Sequence, residues 1–122
     1  TDQKPRWANH LAASNTATDI VGFVSDDPYE RFEVQADGTL AIADIGLNTD
    51  IVYAAGASPN FVSKVEIDSN TANVTTASKQ FRILGVAKDI QNSELSNVTT
   101  YAANVNVVGI INEHFLKSTT GI

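Results

Sequence analysis

The sequence predicts a mainly β fold, a small antiparallel β-sandwich or barrel with extended N- and C-terminal arms. Three observations point there. Ser, Thr and Asn make up about a quarter of the 122 residues, and these side chains compete with helical backbone for hydrogen bonds and favour turns and strands. The large aliphatic residues are Val and Ile more than Leu, and Met is absent, which suits pleated surfaces. Several short segments alternate polar and apolar residues, whereas none sustains a helical period.

Residues 1–19 are polar and mixed, with Leu11 the only large aliphatic and Trp7 the only aromatic. They read as an arm that orders by docking against something. Ile20-Val21-Gly22-Phe23-Val24 reads as a short buried strand, ended by Ser25-Asp26-Asp27-Pro28, where the proline holds Asp27 extended. Residues 31–36 alternate strictly. Phe32, Val34 and Ala36 face one way, and Arg31, Glu33 and Gln35 the other. Full burial of Phe32 would make Phe32→Ala cost about 3–5 kcal/mol. Asp37-Gly38 is a tight-turn dipeptide. Residues 39–43 fit a returning hairpin strand or the approach to a short helix near Asp44, and a turn followed by an irregular connection is the favoured reading. Residues 51–54 form another short strand, 56–60 a loop, and 61–68 alternate again, with Val65 and Ile67 opposed to Lys64, Glu66 and Asp68. Residues 69–73 and 89–96 are loop-like. Residues 80–86 give a strand with Phe81 and Ile83 on one face. Residues 103–111 give the longest strand, whose second half is apolar enough to be covered on both sides. With turns at this spacing, the chain divides into an arm (1–19), one β domain (20–116) and a C-terminal tail (117–122).

The chemistry this chain can support is narrow. A net charge of −6 and a pI near 4.6 disfavour nucleic acid and anionic membranes as partners. Without Cys there is neither a disulfide framework nor a thiolate metal site. His10 and His114 are the only histidines; no nucleophile elbow, zinc helix motif, P-loop or dinucleotide fingerprint occurs. Asp26, Asp27 and Glu30 cluster around Pro28, where turn chemistry is the simpler reading; whether a metal ion sits near Asp26 and Asp27 is left open. Asn73-Val74-Thr75 and Asn97-Val98-Thr99 match the glycosylation pattern and carry little weight in an Asn- and Thr-rich chain. No catalytic residue and no cofactor is expected. The ends supply the candidate interface residues: Lys4, Arg6, Trp7 and Leu11 on the arm, and Phe115 and Leu116 near the C-terminus, with Phe115 expected to pack under the domain. A glycan-binding sandwich is an alternative, built on Trp7, Tyr29, Tyr53 and Tyr101.

Residues 23–28, then Phe32-Glu33-Val34-Gln35-Ala36-Asp37-Gly38, then Asp44-Ile45-Gly46-Leu47-Asn48, resemble a family of small tailed-phage virion proteins. Glu66-Ile67-Asp68-Ser69, Phe81-Arg82-Ile83-Leu84-Gly85-Val86 and Ile111-Asn112-Glu113-His114-Phe115 follow in the same order. The ordered set spans residues 20–116; the chain departs from the family over residues 91–101, where a proline-containing lead-in is missing. The resemblance implies a head decoration, or capsid cement, protein on the outer capsid surface, with a tail, fibre or other structural component of the same particle as the alternative. Its partners would be the major capsid protein and copies of itself, and trimers are common among such proteins. Family members extend further at the N-terminus, so the resemblance also implies that residues 1–19 continue an earlier region. No catalytic residues come with the family.

Overall fold

The computed structural model describes residues 6–72, 78–88 and 95–117. Among the described residues six strands form, in chain order β1 (Phe32–Gln35), β2 (Asn48–Thr49), β3 (Ile51–Val52), β4 (Glu66–Ile67), β5 (Phe81–Val86) and β6 (Asn106–Ile111), with one 3-10 turn at Ile42–Asp44 between β1 and β2. The fold is mainly β and its ladders are antiparallel, as the alternating segments require.

The strand pairings run in a circuit. A four-stranded sheet has the order β1-β6-β5-β2. At Asp50 the chain passes directly from β2 into β3, which pairs with β4. Ile67 of β4 then makes a parallel bridge to Ala36, the residue after β1, and the Asp37 N–H donates to the Ile67 carbonyl at 3.0 Å. The two-stranded sheet is therefore tied to the four-stranded one at both ends, through Asp50 and through the single bridge at Ala36, in a barrel-like circuit. Closing a sheet on itself removes most of its free edges and puts one face of every strand inside.

That inner face is the core. Leu40, Ile67, Ile83, Val105 and Val107 are fully buried and Phe81 nearly so. Phe32, Val34, Ile45, Ile51 and Ile111 pack against them. In β5, a register shift between Ile83 and Gly85 leaves Leu84 without a partner residue on β6. The bulge turns Val86, rather than Gly85, towards the core, since one inserted residue reverses the alternation beyond it. Ile110 of β6 lies on the other face and is still buried, in keeping with the continuously apolar end of that strand.

Gly109 of β6 lies beneath Phe81. A Cβ at this position would meet the Phe81 ring and the Arg82 carbonyl. Gly109→Ala is expected to lower stability by about 2–3 kcal/mol through overpacking, read as a lower midpoint of thermal unfolding.

Buried polar groups hold the crossing at Asp50. Thr49 is fully buried; its hydroxyl donates to the Asp68 carbonyl at 2.6 Å and lies 3.2 Å from the Thr71 hydroxyl. The Asp50 N–H donates to that same Thr71 hydroxyl, and Lys79 pairs with the Asp50 carboxylate. Across the ladder, Arg82 Nε donates to Asn48 Oδ1 at 3.0 Å.

Several expectations need correction. Residues 20–24 are exposed and form no strand; the run is apolar, but among the described residues it makes no strand pairing. Phe32 is only half-buried, so the full cost of a Phe→Ala change belongs to Phe81 instead. Of residues 61–68 only Glu66–Ile67 form a strand, because their partner strand β3 is itself only Ile51–Val52. Residues 53, 54 and 103–105 also lie outside the strands. Asp37-Gly38 does not lead into a hairpin. The Gly38 and Leu40 carbonyls accept from the Asn104 and Tyr101 amides, and the chain then enters the 3-10 turn, the irregular connection that was favoured. The loop expectations for residues 73 and 89–94 lie outside the described residues.

Candidate interaction surface

Every residue from Arg6 to Asp27 is exposed. These 22 residues carry Trp7, Leu11, Ile20, Val21, Phe23 and Val24, all at least half exposed and Trp7 and Val24 85% exposed. What order the arm has comes from small contacts. Trp7 stacks on Phe23 with ring centroids 5.5 Å apart. Asn9 Nδ2 donates to the Asn60 carbonyl at 2.8 Å, and the His10 ring stacks on Phe61 at 3.8 Å. The arm thus touches the barrel at residues 60 and 61, just ahead of the chain that leads into β4.

The C-terminal candidates are also on the surface. Phe115 is 83% exposed and Leu116 59%, so Phe115 does not pack under the domain. It follows a tight turn past the end of β6, in which the Leu116 N–H donates to His114 Nδ1 at 3.1 Å and the His114 ring stacks on Phe115. That turn uses the short range of the chain and points the ring outward. Lys117 Nζ lies 5.7 Å above the Tyr29 ring, a cation–π contact that sets the C-terminal segment beside the root of the arm. Of the candidate interface residues, Arg6, Trp7 and Leu11 lie on the arm and Phe115 and Leu116 at this second patch; Lys4 lies outside the described residues.

The remaining polar candidates have local structural roles. Asp27 Oδ1 accepts from the Tyr29 N–H at 2.9 Å, and the Asp27 carbonyl accepts from the Glu30 N–H at 3.2 Å. This is a turn over residues 27–30 with Asp first and Pro second, its usual chemistry. Asn97 Oδ1 accepts from the Thr99 and Thr100 amides, shaping a surface loop. Tyr101 is half-buried and packs against the core. Among the described residues, no group of three or more His, Asp or Glu side chains is placed to hold a metal ion, and no helix is long and apolar enough to cross a membrane.

Two features were not anticipated. An open cleft of about 580 Å³ lies between β1 and the chain leading into β4, with Glu33, Val34 and Gln35 on one wall and Ser63, Lys64 and Val65 on the other. The second is Asp37. Its carboxylate accepts from the Ser69 N–H at 2.8 Å, and hydrogen bonds from the Ser69 side chain and backbone hold its pKa below the ordinary carboxylate value. A depressed native pKa contributes stability above the unfolded value, about 3.9, and loses it as pH falls through the native value. Asp37→Asn is therefore expected to unfold at a urea midpoint that falls less between pH 5 and 2 than that of the unaltered chain.

No protein family, curated protein or solved structure was found to match this chain.

Proposed function

We propose that this chain is a non-enzymatic structural protein of a tailed-phage particle. In this reading it binds the outer capsid surface and stabilises the shell by bridging neighbouring capsomers. The observation that carries the proposal is the arm: 22 consecutive exposed residues with six large apolar side chains on them. An exposed apolar surface of this extent belongs to a subunit whose partner is another molecule. Covering those six side chains at roughly 1.5–3 kcal/mol each gives on the order of 10 kcal/mol before ordering costs. Phe115 and Leu116 add a second patch on the same terms. The partners are the major capsid protein and neighbouring copies, arranged as a homotrimer. The acidic charge suits the outside of a shell, away from packaged DNA.

The test mixes purified protein with expanded empty capsids of the phage that encodes it. Co-sedimentation that saturates at many copies per shell, together with a higher melting temperature of the decorated shells, is the expected result. Shells that bind none of it, or that melt at an unchanged temperature, sink the proposal. So does antibody labelling of intact virions that marks the tail and spares the head.

A further inference from the structure

The cleft beside β1 and the apolar run at residues 20–24 match each other. Ala36 donates its N–H to the Val105 carbonyl of the β6 side. By the alternation of an antiparallel ladder, Ala36, Val34 and Phe32 thus bond towards β6, while Glu33 and Gln35 turn the opposite way; the parallel bridge at Ala36 engages the Gln35 carbonyl with Ile67, so the groups that face the cleft are the Glu33 N–H and C=O and the Gln35 N–H. The far wall is the chain from Ser63 to Glu66, which joins β1 only at the Ala36–Ile67 bridge. Between these walls is an open sheet edge.

We propose that in the free protein residues 22–25 fold back on their own chain and occupy this cleft as an added antiparallel strand. The turn over residues 27–30 is already formed. A four-residue loop built on such a turn is a common hairpin connection, and it sets the register. Asp26 falls opposite Arg31, a favourable cross-strand charge pair. Val24 then falls opposite Glu33, Phe23 opposite Val34, and Gly22 opposite Gln35. Opposed residues share a face, so Phe23 joins Val34 on the side that packs against the core. The bridge at Ala36 stops the added strand at Gly22. The strand hides an exposed aromatic and an open edge in one step, and an open edge beside an apolar β-prone segment is an aggregation hazard. The extended arm described above is the opened form, in which Phe23 is 79% exposed and free to meet a neighbouring subunit.

The chain has no cysteine, which makes the register testable in free protein without any capsid, so the result is independent of the decoration reading. The variant carrying V24C and E33C is compared under mild oxidation with one carrying V24C and V98C; Val98 is 89% exposed and has no place in the register. Opposed residues in an antiparallel pair are about 5.5 Å apart at Cα, within disulfide range. An intramolecular disulfide forming in the first variant at least about tenfold faster than in the second is the expected result, from its high effective concentration. In the cysteine-free protein, hydrogen exchange at the Glu33 and Gln35 amides is slowed, and F23D removes that protection. Disulfide-linked dimers in place of the internal bond, equal rates for the two pairs, or the same exchange with and without F23D overturn the proposal.

Discussion

Phe81→Ala is expected to lower stability by about 3–5 kcal/mol, the cost of deleting a fully buried ring and leaving a cavity. Phe81 is 1% exposed, lies opposite Ile111 and covers Gly109. The ring therefore seals β5 against β6, the two longest strands. For a chain with the usual net stability of about 5–15 kcal/mol, this is a large fraction. The thermal midpoint should fall by roughly 10–20 °C, at about 3–5 °C per kcal/mol for a domain of this size. Phe32→Ala should cost about half as much, because Phe32 is half-buried. Urea unfolding of the two variants side by side checks the ranking. Equal losses would mean that the inner face of β1 is as deeply covered as that of β5.

Deleting residues 1–12 is expected to leave folding almost unchanged and to weaken capsid binding by about 100-fold or more. The deletion removes Arg6, Trp7 and Leu11, whose side chains are exposed in the isolated chain. With it go the Asn9–Asn60 hydrogen bond and the His10–Phe61 stack, both at the surface. Such contacts contribute little to stability, so the unfolding midpoint should stay within a few degrees. Two large apolar side chains buried against a partner account for roughly 3–6 kcal/mol, which is 100-fold or more in affinity. Circular dichroism and capsid co-sedimentation measure the two effects separately. A deletion that abolishes cooperative unfolding would place the arm within the fold and count against an assembly role.

Where the alternation of side chains was the signal, the sequence was readable. β1, β5 and β6 each bury alternate residues, and Phe81, Ile83 and Val107 follow from their patterns directly. β2 was not readable by that route. Asn48 and Thr49 are polar yet buried, held by hydrogen bonds to residues 19 to 34 positions away, and no local pattern encodes a partner so distant. Residues 20–24 show the opposite error. A short apolar run has the same composition whether it lies in a core or waits on a surface, and only the presence of neighbours separates the two. Phe115 misled for the same reason, since its outward direction is set by the turn at His114. Among the site residues, Trp7 and Leu11 were legible as arm residues because so little around them could form a core. The cleft was invisible because its walls are 30 residues apart in sequence and meet only at one bridge.

The circuit of strands also limits how the molecule can multiply. A filament grows sideways only if each unit has one bare rim to offer and another to receive. Here Asp50 carries the chain straight from one ladder to the next and Ile67 closes the ring, which leaves a single seam. One seam can accept one guest and then has nothing further to extend. Concentrated solutions should accordingly stay clear rather than thread into fibrils.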